Sequence, residues 1–316
     1  MGRSTSRSRV SWPHGKSFAF SVFDDPDFQR LECGVPVYDF LTDLGFRTTK
    51  GVWPGSSASQ VSDRWGTCAD PAYLDWVMRL QTRGFEIGWH GASPKTSRRS
   101  QTIEGFNRFR QMFGHPPRSM SQHYSCHENL YWGDERLSSG PRRLAYNLLT
   151  RWKNHGLFRG HVPHDPHYWA DIAAENVTYV RNFVFGSINT LASCPDMPYH
   201  DPSRPEIKYW FASAEGHDVA SFTSMLREEN LESLEAEGGA CIMYTHFAYG
   251  FMDGTSLDRR FRRVMESLSR RNGWFVPVST LLDHILEQRG PVTLGPRQLA
   301  SLERRWLVHK ARYGSA

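Results

Sequence analysis

Ionisable residues stand at the points where several apolar runs of this chain stop. Residues 17–23 (Ser-Phe-Ala-Phe-Ser-Val-Phe) give way to Asp24-Asp25-Pro26-Asp27; residues 85–89 run into His90; residues 119–122 run into His123; and residues 240–244 stop just before His246. Short runs rich in β-branched and aromatic residues read as strands. In a barrel of parallel strands every carboxyl end faces the same rim, so these groups would converge there. Two adjacent carboxylates cannot point at the same spot and can divide labour, one ligating a cation while the other acts as a base. An Asp with imidazoles suits zinc, iron, cobalt or nickel rather than calcium. Such a metal acidifies bound water and polarises a carbonyl, the two requirements of amide hydrolysis, and a separate imidazole can protonate the leaving amine. The competing readings are a turn or helix cap before Pro26 for the Asp pair, and a satisfied core histidine for His90.

A rim site of this kind needs strands that alternate with helices. Strands are predicted at 17–23, 46–53, 85–89, 119–122, 177–185, 207–212, 240–244 and 274–278. Helices are predicted at 31–44, 71–83, 103–113, 141–152, 219–237 (broken near Asn230), 257–271, 279–288 and 298–312, with Gly84 as a cap and Ser279 as an N-cap. The alternation predicts α/β architecture with a parallel sheet: a single distorted (β/α)7–8 barrel over 13–290, preceded by a flexible basic arm (1–12) and followed by a basic helix (291–316) packed on the barrel or trailing it.

The net charge of +5 is concentrated at the ends, in Arg3, Arg7 and Arg9 and in Arg297, Arg304, Arg305, Lys310 and Arg312. These read as solvated tails, and no nucleic-acid partner is expected because no aromatic-interleaved basic motif accompanies them. The amino-terminal arm has no apolar stretch of signal-peptide length, and no segment reaches the roughly 18 apolar residues of a membrane span. Cys33, Cys68, Cys126, Cys194 and Cys241 are odd in number, widely spaced and free of CxxC pairs, which suits reduced thiols and a cytoplasmic location. An aromatic content of 13% can fill a core or line a site for rings and sugars.

Val22-Phe23-Asp24-Asp25 resembles the Thr-Phe-Asp-Asp-Gly motif of the polysaccharide-deacetylase (NodB-homology) family. Glu86-Ile87-Gly88-Trp89-His90 resembles its Glu-Ile-Gly-Asn-His motif, and Tyr244-Thr245-His246 its closing Leu-x-His. Order and spacing agree from about residue 17 to residue 285. The resemblance implies a distorted (β/α) barrel, a divalent metal (zinc first, with cobalt, nickel, iron or manganese as alternatives), Asp24 as general base, Asp25 and His90 as metal ligands, and His246 as general acid. The chain departs from the family where a second metal His should stand, at Pro94, and has Pro26 in place of the motif's Gly. No Arg-x-Pro-Tyr/Phe motif follows the fourth strand. The ligand-rich stretch 121–133 stands there instead, and His123 is expected to replace the missing ligand, with His127 and Cys126 in reserve.

Four further residues are candidate substrate contacts beside His127. Lys50 orients Asp24 if it points inward and reaches solvent otherwise. Arg181 and Asn182 interrupt an apolar strand and need partners if buried; one of them faces the barrel interior, and Asp171 can pair with Arg181. Trp210 stacks on a sugar ring or fills the core. His161, His164 and His167 read as a rim loop, since Pro163 and Pro166 exclude a helix. The expected activity is metal-dependent removal of an acetyl or similar acyl group from an N-acylated amino sugar or sugar-containing metabolite. The alternatives are a C–N hydrolase of non-sugar amides and a catalytically degenerate barrel that only binds its ligand.

Overall fold

The computed structural model describes residues 9–55 and 64–314, so Arg3 and Arg7 of the basic arm lie outside the described residues. Strand β1 (Phe18–Asp24) is buried at every position, as its nearly unbroken apolar run requires of a strand covered on both faces. After it come β2 (Thr49–Val52), β3 (Glu86–Trp89), β4 (Ser119–Met120), β5 (Tyr179–Phe185), β6 (Tyr199–His200), β7 (Tyr209–Ala214), β8 (Ala240–Thr245), the hairpin β9 (Met252–Asp253) and β10 (Ser256–Leu257), β11 (Gly273–Phe275) and β12 (Val292–Thr293). Seven of these close a parallel ring in the order β1, β2, β3, β4, β5, β7, β8 and back to β1. Of the seven or eight strands expected, the ring uses seven. One edge of β1 is shared: β11 pairs with Phe18–Phe20, and β2 takes over at Phe23 and Asp24. This split is the distortion of the barrel. β6 runs antiparallel to β7 and carries β12 outside the ring.

Helices cover the ring. Pro71–Thr82 starts at Asp70, whose carboxylate accepts from Ala72 N, and buries Tyr73, Trp76, Val77 and Leu80. Arg99–Phe113 lays Phe106 flat on Trp89 of β3, with ring centroids 4.0 Å apart. Gly88 lets β3 lie this close to the barrel interior, since a Cβ there would stand 2.9 Å from Phe23 Cζ and 3.0 Å from Thr49 Cγ2.

Two predicted details are corrected. The helix expected over 219–237 breaks earlier than Asn230, into Val219–Met225 and Glu228–Glu237, because Asn230 Nδ2 donates back to the Met225 carbonyl at 2.9 Å and closes the first piece. Ser279 is not an N-cap. The helix begins at Val278, and its first N–H groups are satisfied from the barrel floor, Val278 N by Thr49 Oγ1 (2.9 Å) and Ser279 N by Glu86 Oε2 (3.0 Å). The terminal helix Pro296–Tyr313 packs against Gly140–Leu149, with buried Trp306 stacked on Tyr146 and Glu303 paired with Arg142. No described helix is long and apolar enough to cross a membrane.

Candidate active site

Alternation along the chain sends Asp24 and Asp25 to opposite sides, and Asp27 sits in the turn that follows, where Gln29 N donates to the Pro26 carbonyl at 3.0 Å. Asp24 points to the outside of the ring. It shares register with Lys50 of β2, and the fully buried Lys50 Nζ lies 3.3 Å from its Oδ2. Gln29 Nε2 and Tyr38 OH donate to the same oxygen, each at 2.9 Å, and Phe247 N donates to Oδ1 at 2.8 Å. Both oxygens are thus engaged and none of the side chain is exposed. This corrects the expectation of Asp24 as general base: the structure uses it to tie β1, β2 and the segment after β8 together. Lys50 does hold Asp24, but inside this buried knot.

Asp25 faces the interior. Arg181 of β5 donates to its Oδ2 from Nη2 at 2.8 Å, and Ser121 Oγ donates to Oδ1. Arg181 therefore pairs with Asp25 and not with Asp171, which is held by Arg99. Burial pushes the Asp25 carboxyl up, but the guanidinium of Arg181, then His90 and His246, outweigh it and hold the group below the usual carboxylate range. Asp25 meets His90 on the Nδ1 side: Ser121 Oγ lies 2.7 Å from Nδ1, and Asp25 Oδ1 lies 3.4 Å from it. With its oxygens on Arg181 and Ser121, Asp25 does not stand as a metal ligand, and the expected set Asp25, His90 and His123 does not converge.

The carboxylate that faces the imidazoles is Asp27. His90 Nε2 lies 3.4 Å and His123 Nε2 3.6 Å from its Oδ1, and His246 Nε2 lies 3.3 Å from its Oδ2. Each ring is tethered through its other nitrogen: His90 Nδ1 to Ser121, His123 Nδ1 to Cys126 Sγ at 3.4 Å, and His246 Nδ1 to the His217 carbonyl at 2.9 Å. Trp53 packs against both His90 and His123, and Tyr249 stacks on His246 with centroids 4.4 Å apart. Burial would raise the Asp27 carboxyl, but the facing imidazoles of His246 and His90 drive it far below the ordinary range. Burial lowers His123 to about 4, so its ring is neutral near pH 7. His246 is raised: burial lowers it, but the facing carboxylates Asp27 and Asp25 more than compensate.

Other expected contacts lie elsewhere. His127 packs its ring against His167, and Asn182 faces away from Asp25, donating to Tyr199 OH at 3.3 Å. Trp210 is core, 1% exposed, which removes it as a stacking platform. His161 is stacked on Tyr131 and accepts from its backbone N–H, and His167 is paired with Asp165. Asp27 is the site residue missing from the sequence-based set. It stands two residues beyond Asp25, and the turn closed by Gln29 N on the Pro26 carbonyl, not strand alternation, carries it to the histidines.

The donor set bears directly on a cation. Among the described residues no group of three His, Cys, Asp or Glu side chains is arranged to hold a metal ion as it stands. Yet Asp27 Oδ1 and His90 Nε2 are both buried without a hydrogen-bond partner. Their 3.4 Å separation matches the ligand–ligand edge of a tetrahedral site with bonds of about 2.1 Å. The two are ready donors of the right chemistry, and His123 is a third that must close on them.

Fold and site together define a seven-stranded (β/α) barrel with a carboxylate–imidazole cluster at the carboxyl ends of its strands. No protein-family model and no curated protein matches the sequence, but solved structures match the fold. The chain superposes on Puue allantoinase with a TM-score of 0.52 at 12% identity, over 92% of this chain and 97% of that one. It superposes on a protein described as a polysaccharide deacetylase from Mycobacterium smegmatis with a TM-score of 0.51 at 13% identity, over 91% and 97%. The corresponding figures for one from Pseudomonas aeruginosa PAO1 are 0.50, 11%, 92% and 97%. The chain has the barrel of the polysaccharide deacetylases, as the motif resemblance implied.

Proposed function

We propose that this protein is a metal-dependent hydrolase of a carbon–nitrogen bond, related to the polysaccharide deacetylases, that removes an acetyl or similar acyl group from an amine. The observation that carries the reading is the convergence of three tethered imidazoles on Asp27, with Asp27 Oδ1 and His90 Nε2 buried without a hydrogen bond. Asp27, His90 and His123 would hold the divalent cation, with zinc favoured by the carboxylate–imidazole donors. Such a cation lowers the pKa of a bound water and polarises the amide carbonyl.

The chain's own groups do the rest. Asp25, kept ionised by Arg181, holds His90 through Ser121 so that Nδ1 carries the proton and Nε2 offers its lone pair. His246, with Nδ1 donating to the His217 carbonyl, keeps a proton at Nε2 beside Asp27 Oδ2 and can deliver it to the departing nitrogen. Trp53 and Tyr249 shield the cluster from bulk water.

A small amide outside the sugars is the second reading. It is favoured by the enclosure of the cluster, whose His90, His246, Asp27 and His123 side chains are 1%, 7%, 14% and 18% exposed. Elemental analysis of protein purified without chelator tests the metal. Stoichiometric divalent metal is expected in the wild type and in Lys50→Met, and its loss in Asp27→Ala and His123→Ala. Unchanged metal in His123→Ala refutes the ligand set, and no metal in any form after reconstitution leaves a ligand-binding barrel. Acetate release from N-acetyl sugars, set against release from small non-sugar amides, then separates the two substrate classes.

A further inference from the structure

The helix Gly140–Leu149 is turned the wrong way for a covered surface helix. Its buried face carries Tyr146 and Asn147, while Leu144, Leu148 and Leu149 are 50%, 63% and 48% exposed. Leu144 and Leu148 are one turn apart and share a stripe. The chain then turns through Arg151 and Trp152, both left-handed at φ of 53° and 60°, and Trp152, three residues beyond Leu149, is left 49% exposed. Contiguous exposed apolar residues of this kind mark an interaction surface.

The chain around this stripe is predominantly basic, and the two carboxylates that reach it, Glu135 and Asp134, are taken up by Arg143 and His155. No Asp or Glu occurs from residue 136 to residue 164, and from residue 288 onward the one acidic residue is Glu303, which is buried and paired with Arg142. Arg151 and Lys153 are exposed at the end of the stripe, and Arg304, Arg305 and Arg312 are exposed on the packed terminal helix. The surface also adjoins the candidate active site. Lys153 Nζ sits 5.5 Å from the ring centre of Tyr124, the neighbour of His123, and Arg159 N donates to the His127 carbonyl at 2.6 Å.

We propose that this face docks on an anionic lipid bilayer, with Leu144, Leu148 and Trp152 entering the interface and Arg151 and Lys153 engaging the headgroups. Exposed leucines and Trp flanked by uncompensated cations are the composition of an interfacial helix. Duplex or single-stranded nucleic acid matches the charge but leaves the leucine stripe uncovered. A two-fold contact with a second copy covers the leucines but sets the positive charge against itself. The docking stands independently of the hydrolase reading; combined with it, the site rim lies at headgroup level, where a lipid-linked amide is presented.

Co-sedimentation of the full chain with phosphatidylglycerol–phosphatidylcholine vesicles, against phosphatidylcholine alone, tests the proposal. Binding is expected with the anionic vesicles only, weakening as salt rises. The double variant Arg151→Gln/Lys153→Gln should lower the partition coefficient about 25-fold, taking each cation as worth about fivefold. Leu148→Ser/Trp152→Ser should lower it by at least as much with the charge unchanged. All four positions are exposed, so these variants should unfold at the wild-type temperature. The proposal is overturned by wild-type binding in either variant, or by no binding to anionic vesicles at low salt. It is equally overturned if the free chain is a dimer that Leu148→Ser/Trp152→Ser dissociates, or if it binds duplex DNA or RNA more tightly than vesicles.

Discussion

The Lys50–Asp24 pair gives the sharpest test of how the site is divided between scaffold and chemistry. Both side chains are fully buried and 3.3 Å apart, a separation worth about 5 kcal/mol of attraction at an effective dielectric near 20. Lys50 Nζ makes no hydrogen bond to offset its own desolvation, so Asp24 is its compensation. Removing one partner of a buried pair typically costs about 3–5 kcal/mol, whereas removing both charges together is far milder. Lys50→Met and Asp24→Asn should therefore each be destabilised by about 3–5 kcal/mol, and the double variant by no more than the worse single, a coupling of at least about 3 kcal/mol. Urea denaturation followed by tryptophan fluorescence measures all four corners of the cycle. On the proposed ligand set, the folded double variant should also bind divalent metal as the wild type does, because Asp24 touches none of the imidazoles that meet Asp27. The reasoning fails if the effects add within about 0.5 kcal/mol, or if the double variant is folded but metal-free.

Two further outcomes follow from the same geometry. Ser121→Ala cuts the link between Asp25 and His90, and should weaken metal affinity about 10–100-fold in a chelator competition, at a cost of about 1–3 kcal/mol in stability from the buried groups left unsatisfied. Glu128, whose two carboxylate oxygens are buried without hydrogen bonds, is pushed up by burial to about 7. Its folded form thus binds the proton more tightly than the unfolded chain, and stability should fall as pH rises from about 4.5 to about 7. Glu128→Gln should remove that slope, gaining about 3 kcal/mol above pH 7 and nothing at pH 4; a gain that is equal at both pH values contradicts the assignment.

Much of the barrel was legible in the chain because its strands are buried on both faces and leave long apolar runs that only helices interrupt. The rim histidines were legible for the same reason, since His90 and His246 follow a strand end immediately and His123 follows one by three residues. Helix termini were less so. The start of the helix at Val278 depends on Thr49 and Glu86, which lie far away in sequence, and no local pattern of capping residues reports that.

The carboxylates show where local reading ends. That a strand stops at Asp24-Asp25-Pro26-Asp27, opposite imidazoles on neighbouring strands, is a property of the sequence. Which of the three meets them is not, because it depends on the side of the strand that faces the barrel interior. Closure of the ring places Phe23 and Asp25 inward against Arg181 and turns Asp24 outward to Tyr38 and Lys50. A buried carboxylate must find its counter-charge within a few ångströms. The partners that decide its role, Lys50 for Asp24 and Arg181 for Asp25, become neighbours only when the sheet closes. With those two neutralised, Asp27 is the carboxylate that remains facing the histidines, and that outcome belongs to the tertiary structure alone.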